Sequence, residues 1–375
     1  MNTSNHILSQ YDISINGFLP DTCPLTSLPD YYAQWDELAD NLPKLNSDHS
    51  IRKLVKELPV LSTEYLTNHV QVQRAYSILC LIAHSYVWCN QNDPISSLPS
   101  SIAVPWMQIS SKLGINCILT HAAVDLYNWK LIDPSKGIHL DNMRCIHTMT
   151  GTFDEEWFYL VMTHVEYVGG SIISDIMKIY CNPTDWTAMV YSLTSIKNNL
   201  IEISRITKRM DEKCDPSVFY NILRPYLRGW DAMIYKGVDD TPKQYPGGSA
   251  AQSSLFSTID AAFGVVHSDT YFEKIKQCMP KKHRDFVQFV KDNINIDHYI
   301  ITCDEPEIHS QLKSLYDMCI TELAVFRKVH FGLVTRYILR MMPKTIDDEG
   351  VKGTGGTELN NFLKTSIAET ERKKT

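Results

Sequence analysis

The stretch "ELAVFRKVHFGLVTRYILRMM", residues 322–342, decides the fold because it reads as one long amphipathic helix. Its apolar residues recur at roughly the 3.6-residue helical period and share one face. These residues are Leu323, Phe326, Leu333, Val334, Tyr337 and Met341. His330 lies in the middle of that face, and Arg327 precedes it by about one turn. A lone histidine in a core is usually just satisfied by a hydrogen bond, but it can also bind a metal or a cofactor.

Helical signals dominate the rest of the chain, so we expect a mostly α-helical protein. The predicted helices include 121–132, 154–180 and 281–293, and Pro343 is expected to stop the helix of His330. A glycine-rich loop is predicted at 236–250.

The 375 residues, 44% of them hydrophobic, suffice for one large core or for two cores of different size. Residues 90–105, "NQNDPISSLPSSIAVP", have the Pro/Ser composition of an inter-domain connection. We therefore predict a small, mostly helical N-terminal domain at 1–105, a linker at about 90–118, and a large all-helical domain at 119–375. The best strand signal is at 137–151, and without a βαβ rhythm we expect no doubly wound nucleotide-binding sheet.

Composition limits the partners and the compartment. The net charge of −7, with no long block of one sign, argues against a nucleic-acid or anionic-membrane partner. The most apolar stretches contain His, Glu or Asp and do not make a clean membrane span. The ten cysteines lie singly in apolar segments, as expected of buried thiols in a reducing compartment. With no secretory signal at the N-terminus, we predict a cytoplasmic protein; the sequence does not indicate its oligomeric state.

Several catalytic and metal-binding motifs are absent from the sequence. There is no HExxH, no pair of histidines at helical ligand spacing and no GxSxG, so neither a zinc site nor a serine nucleophile is expected. Haem is different, because the porphyrin supplies four equatorial nitrogens and iron then needs only one protein imidazole. An apolar helix with His330 and a nearby arginine suits a large apolar plate that carries two carboxylates. Since CxxCH is absent, such a haem would be held non-covalently. On spacing alone, an ordinary core histidine remains the more frequent case.

A glycine-rich segment near the C-terminus, "KGTGGTE" at 352–358, resembles a phosphate-binding loop but is not one. Gly356 stands where that motif requires lysine, and no strand signal precedes it. It is either a flexible loop that leads into a helix at 357–371, or part of a mobile lid at 343–356 whose Thr354 meets a ligand. The residues alone favour neither of these two alternatives.

Two further segments combine unusual residue types. In "YPGGSAAQSSLFSTID", 245–260, the small residues at 247–251 permit close approach either of another backbone or of a flat cofactor edge, to which Ser249 could donate. In "DPSVFYNILRPYLRGWD", 215–231, Arg224 is embedded in an aromatic stripe. A buried guanidinium needs an anion, which is either a ligand carboxylate or an Asp or Glu of the chain.

Four motifs resemble the indoleamine 2,3-dioxygenase family, in chain order "FYNILRPYLRGW", "GGSAAQSS", "FRKVHFGLVTRYI" and "KGTGGTELNNFLKT". With "LYNWKLIDP" at 126–134 and "MPKKHRDF" at 279–286, the likeness runs from about residue 20 to the end. The resemblance implies a two-domain, mostly helical fold with b-type haem in the larger domain. In the family's enzymes, ferrous haem binds O₂, and both oxygen atoms are inserted into the indole double bond of tryptophan.

The resemblance also implies roles for individual residues. His330 matches the proximal iron ligand, and Arg327 and Asp260 match an ion pair beside that ligand and the haem propionates. The remaining residues expected at the haem are Ser249, Gly248 and Phe256. On the substrate side, Phe219 matches a lining residue, Arg224 the residue that binds the substrate carboxylate, and Thr354 the lid residue above the substrate.

The chain departs from the family's enzymes on the distal side of the haem. Aligning on Glu166 places Met162 where the enzymes have a small serine, Tyr220 stands for a phenylalanine, and His121 stands for a tyrosine. Met162 adds volume where a substrate must lie close to O₂. Tyr220 and His121 add polar groups that cost desolvation energy unless they are paired.

This pattern resembles the indoleamine-dioxygenase-like myoglobins of gastropod molluscs, so we expect a muscle protein that binds O₂ reversibly and is not an enzyme. The alternative is an active dioxygenase that converts L-tryptophan, or another indole, to its ring-opened product, N-formylkynurenine in the case of tryptophan. The retained Arg224 and Thr354 favour that alternative. A third possibility is a haem-free scaffold in which His330 is an ordinary core residue.

Overall fold

Helices make up most of the chain in a computed structural model that describes residues 3–269, 271–342, 353–354 and 359–374. The mostly helical class predicted from the sequence is confirmed. Within this described part, none of the helices combines the length and the apolar character that crossing a membrane requires.

The first part of the chain is built around one central helix. Its helices are α1 Thr3–Gln10, α2 Ala33–Asp40, α3 Leu42–Ser47, α4 Ile51–Glu57, α5 His69–Trp88 and α6 Ser100–Leu113. Asn68 precedes helix α5, and its side chain caps the helix by accepting a hydrogen bond from the Gln71 amide at 2.9 Å. Its residues are buried on all sides from Val72 to Val87, as expected of a helix inside a core. Helices α2, α3, α4 and α6 pack against it.

The second part contains the helices α7 Phe153–Cys181, α8 Trp186–Lys208, α9 Met210–Lys213, α10 Pro216–Val218, α11 Ser254–Ala262, α12 Tyr271–Ile275, α13 Lys281–Asn293, α14 Ile296–Ile301, α15 Pro306–Tyr337 and α16 Leu359–Glu371. The long helices α7 and α15 both pack against α8, and α16 packs against α15. Helix α15 ends at Tyr337, and only a 3₁₀ turn at Leu339–Met341 continues the predicted helix 322–342. The predicted stop at Pro343 lies outside the described residues.

The described residues also form five short strands: β1 Ser97–Leu98, β2 Trp129–Leu131, β3 Met143–Cys145, β4 Trp230–Tyr235 and β5 Asp239–Tyr245. Strand β4 pairs in parallel with β1 and forms an antiparallel hairpin with β5, while β2 pairs with β3. A helix predicted over 121–132 is wrong in its second half, because only the π-helix Ala122–Leu126 forms before β2. The loop predicted at 236–250 likewise contains β5.

Residues on both sides of the predicted domain boundary share one core. On α5, Ser77 donates a hydrogen bond of 2.7 Å to the Ala123 carbonyl. Further along that helix, His84 lies 2.7 Å from the Tyr226 carbonyl and accepts from the Leu119 amide at 3.0 Å. The division into 1–105 and 119–375 stays a prediction.

Candidate functional site

A cavity of about 240 Å³ lies among helices α7, α11, α15 and α16 and the π-helix Ala122–Leu126. One buried water needs about 10–15 Å³, so the cavity is large enough for a sizeable molecule. Its lining is mainly apolar and aromatic, with a few polar side chains. This combination is typical of a ligand or cofactor site.

Most of the residues predicted from the sequence to form the site border this cavity. All of the predicted haem-binding residues do so, namely His330, Arg327, Asp260, Ser249, Gly248 and Phe256. Four residues predicted on the substrate side also line it, namely His121, Met162, Phe219 and Thr354. The fold therefore brings residues from widely separated segments of the sequence together at this cavity.

Arg224 and Tyr220 are not among the described residues that line the cavity. They lie at the junction of the π-helix Phe219–Leu223 and the 3₁₀ helix Arg224–Leu227. The guanidinium carbon of Arg224 is 5.2 Å from the centre of the Tyr220 ring, and burial lowers the pKa of this arginine. The first residue of that π-helix, Phe219, points into the cavity, whereas these two neighbours contact each other. Their expected contact with substrate stays a prediction.

The imidazole of His330 borders the cavity and is held in a stack of rings. Phe256 of α11 stacks on Phe326 with centroids 4.2 Å apart and planes 7° apart. Phe326 in turn lies 6.5 Å from His330, with planes 10° apart. Neither ring nitrogen of His330 has a hydrogen-bond partner within the described part of the chain. Among the described residues, the imidazole is therefore oriented by ring packing.

The protonation state of His330 suits metal binding. Burial, together with the charge of Arg327, lowers the pKa of His330 to about 4, so the ring is neutral near pH 7. Neutral imidazole is the form that binds metal ions. No group of three or more His, Cys, Asp or Glu side chains that could hold a metal ion occurs in the ranges that the structure describes. An unpartnered, neutral imidazole at an apolar cavity fits the single axial ligand that haem iron requires.

A buried charge network lies beside His330. One nitrogen of the Arg327 guanidinium, Nη2, donates to both carboxylate oxygens of Asp260 at 2.7 Å, and Nη1 donates to the Thr370 hydroxyl. His267 lies between Asp260 at 3.0 Å and Glu369 at 2.9 Å. Burial opposes ionisation of Asp260, but the charge of Arg327 and the bond from His267 lower its pKa below the usual range. The network joins α11, α15 and α16.

His267 and Glu369 are absent from the sequence predictions, although they complete this network. They are 102 residues apart in the chain, and neither lies in a motif that marks it. Burial lowers the pKa of His267, but the two carboxylates raise it further, so the net direction is upward. The two carboxylates therefore favour the protonated form of His267.

The glycine-rich segment near residue 247 is explained in part by backbone packing. A Cβ atom on Gly247 would lie 2.3 Å from the Leu227 carbonyl oxygen, so only glycine fits there. At Gly248, which lines the cavity, a Cβ would lie 3.2 Å from the Leu119 side chain. The Gly247 amide donates to the Thr354 carbonyl at 3.1 Å, and the Thr354 hydroxyl donates to the Gly248 carbonyl. The rest of the predicted lid 343–356, apart from 353–354, lies outside the described residues.

Helix α7 supplies an apolar wall of the cavity. Phe158 and Met162 are four residues apart on α7 and both line it. The Phe219 ring lies 4.9 Å from the Phe158 ring and 5.7 Å from the Tyr337 ring, which continues the apolar surface towards α15. Met162 therefore occupies space at the position where the sequence comparison expects a smaller side chain in the enzymes.

His121 is buried in the cavity wall and is paired. Its Nδ1 lies 2.6 Å from Asp125 and its Nε2 lies 2.8 Å from Glu166. Burial alone would lower the pKa of His121, but the two carboxylates raise it to about 10. The desolvation cost expected for an unpaired histidine is thus offset. Asp125 and Glu166 were not predicted as site residues, although the i, i+4 spacing of His121 and Asp125 is a signal that could have identified the first pair.

The family model described as "Indoleamine 2,3-dioxygenase" matches residues 7–373. The chain belongs to the indoleamine 2,3-dioxygenase family. The family resemblance predicted from the sequence motifs is therefore confirmed, and the chain is similar to relatives over nearly its whole length. Indoleamine 2,3-dioxygenase 1 of Rattus norvegicus is 33% identical, with 99% of this chain and 96% of the relative covered.

Two fungal members of the family are also similar to this chain. A 6-hydroxytryptophan 2,3-dioxygenase of Fusarium equiseti is 32% identical, with 95% of each chain covered. The indoleamine 2,3-dioxygenase of Saccharomyces cerevisiae is 30% identical, with 97% of this chain and 93% of the relative covered. These three relatives are named as dioxygenases, and they give no support to the narrower likeness to molluscan myoglobins.

Proposed function

We propose that this chain is a haem-dependent dioxygenase that acts on tryptophan or a closely related indole. The observation that carries the proposal is the unpartnered, neutral imidazole of His330 at the edge of a large, mainly apolar cavity. Support also comes from relatives that are named dioxygenases and that match almost the whole chain. The expectation of a non-enzymatic oxygen-storage protein receives no such support.

In this proposal, His330 holds the haem iron, while Gly248, Ser249 and Phe256 contact the haem. When bound, the haem would supply the O₂ chemistry that protein side chains lack. The stacked Phe256 and Phe326 rings keep the imidazole in one orientation. Arg327 provides positive charge for the haem carboxylates, and Asp260 keeps that arginine in place through its two hydrogen bonds.

The indole would lie against the wall formed by Phe158, Met162 and Phe219. Apolar side chains there exclude water, which strengthens electrostatic interactions inside the cavity. Thr354 bonds to the glycine segment, lines the same cavity and would restrict the position of the substrate. Arg224, predicted to bind the substrate carboxylate, would have to move from Tyr220 to reach the cavity.

The decisive experiment is aerobic turnover of L-tryptophan by the reduced, haem-reconstituted protein. We expect formation of N-formylkynurenine, followed by absorbance and mass spectrometry. His330→Ala should lose both the Soret band and the product, whereas the surface variant Asp304→Asn should keep both, because Asp304 is exposed. Absence of product with every indole tested, although haem and O₂ bind, would contradict the dioxygenase proposal.

Reversible O₂ binding without turnover is the second candidate function, and one observation favours it. Met162 lines the cavity, where its volume competes with a substrate that must lie close to O₂. A Met162→Ser variant tests this directly. If the wild type is inactive and this variant gains turnover, the methionine is the cause. The cytoplasmic location and the absence of a nucleic-acid partner stay predictions from the sequence.

A further inference from the structure

Three ionisable side chains form a buried cluster in the cavity wall, which we call the acid–histidine cluster: His121, Asp125 and Glu166. Their exposed fractions are 5%, 4% and 1%. His121 and Asp125 border the cavity, and Glu166 follows Met162 by four residues on α7. The cluster is therefore part of the wall against which we place the indole.

The cluster carries one unbalanced negative charge. Each ring nitrogen of His121 faces a carboxylate oxygen, so each of the two contacts needs one proton, either on the nitrogen or on the acid. One imidazolium and two carboxylates sum to −1, and the sum is the same if the shared proton moves from His121 to an acid. No lysine or arginine of the described ranges forms an ion pair with Asp125 or Glu166. The other described side chains bonded to the cluster are neutral: the Ser253 hydroxyl at Glu166, the Gln252 amide at the His121 backbone and the Thr163 hydroxyl at the Asp125 carbonyl.

The cluster also has acceptor capacity that the protein leaves unused. Oδ1 of Asp125 and Oε2 of Glu166 are buried and have no hydrogen-bond partner within the described part of the chain. A buried carboxylate oxygen without a donor is costly, and an uncompensated buried charge more so. A ligand that brings positive charge into the cavity lowers this cost, whereas a ligand that brings only negative charge raises it.

We infer that Asp125 and Glu166, held by His121, determine the charge selectivity of the cavity, which favours indoles with a protonated amine over indoles whose only charge is a carboxylate. This inference rests on the proposed function, because it assumes that an indole occupies the cavity. A unit charge inside a protein of effective dielectric near 20 changes binding on the order of tenfold at separations near 10 Å. We therefore expect an effect of about that size when one carboxylate is neutralised.

The test compares two probes that differ in charge: tryptamine, a cation, and indole-3-propionate, an anion. Dissociation constants are measured by absorbance titration of the haem-reconstituted protein. The wild type should bind tryptamine more tightly than indole-3-propionate. Asp125→Asn should reduce that preference about tenfold, and Glu166→Gln, which removes the same charge from the other side of His121, should act in the same direction. The exposed Asp304→Asn serves as the matched control and should leave the preference unchanged.

Each outcome decides the inference. A wild type that binds the anion as tightly as the cation overturns it, and so does a preference that survives in both carboxylate variants. If a variant fails to take up haem, the other variant and the wild-type comparison still decide. Turnover of tryptophan with an unchanged probe preference would reject the inference and leave the proposed function standing. A protein with an intact Soret band that binds neither probe and turns over no indole would reject both.

Discussion

Replacing Arg327 by alanine should destabilise the protein far more than replacing Arg336, although both arginines lie on α15 and both form ion pairs. The Arg327 side chain is 12% exposed and its partner Asp260 is 10% exposed, at 2.7 Å. The Arg336 side chain is 45% exposed and its partner Asp211 is 42% exposed, at 2.6 Å. The two sites thus match in helix, residue type and distance, and differ in burial.

The magnitudes follow from that difference. Removing one partner of a buried ion pair leaves an uncompensated charge and costs about 3–5 kcal/mol. His267 still bonds to Asp260 at 3.0 Å after Arg327 is lost, so we expect the lower end, about 3 kcal/mol. An exposed pair contributes about 0–1 kcal/mol, which is the expected loss for Arg336→Ala.

The measurement is urea denaturation of the haem-free protein, followed by circular dichroism, so that cofactor loss does not enter the comparison. The midpoint should fall strongly for Arg327→Ala and little for Arg336→Ala, at an unchanged slope. The double variant Arg327→Ala/Asp260→Asn should recover part of the loss, because it removes the buried charge left behind. Equal losses for the two single variants, or no recovery in the double variant, would refute the buried-pair argument.

Three further predictions concern the cavity that His330 borders and the segments next to it. The pKa of His121 is raised to about 10 from its ordinary 6.5, so protonated His121 stabilises the fold fully below pH 6.5 and this stabilisation is lost as pH rises towards 10. The free energy of unfolding should therefore fall more over that pH range in the wild type than in His121→Phe. Gly247→Ala should lower the free energy of unfolding by about 1–3 kcal/mol, because the new Cβ would lie 2.3 Å from the Leu227 carbonyl oxygen. The control Gly332→Ala, whose Cβ has no atom within 4 Å, should stabilise α15 by up to about 1 kcal/mol, and urea unfolding measures both. Phe256→Leu should speed haem transfer to excess apomyoglobin several-fold if ring stacking orients His330, and an unchanged rate would count against that role.

The sequence predicts long helices well because their periodicity and end signals are local. The expected helices 154–180 and 281–293 agree closely with α7 and α13. The hairpin β4–β5 was missed because the residues of β5 are largely exposed on both faces, so no alternation of polar and apolar residues marks it. The π-helix Ala122–Leu126 was also missed as such, since its hydrogen-bond register does not follow from side-chain pattern.

The candidate site shows the same division between local and long-range signals. His330 stands out in the sequence because an imidazole interrupts an apolar helix face, and motif likeness predicts the partners of that histidine. The pairing of His267 with Glu369 depends on the tertiary fold, and no spacing rule reaches across 102 residues. Arg224 and Tyr220 are not among the described residues that line the cavity, and their expected contact with substrate stays a prediction.

The contribution of α16 to the cavity has a consequence for how the protein is made. Thr370 and Glu369 bond to the network around Arg327, and Phe362 and Leu363 line the cavity. Helix α15 leaves the ribosome before α16, so a nascent chain can form the helix of His330 while one side of its surroundings is still missing. Stable capture of a prosthetic group therefore has to wait until α16 has also left the ribosome, and premature termination upstream of α16 should yield a chain that folds in part but retains no cofactor.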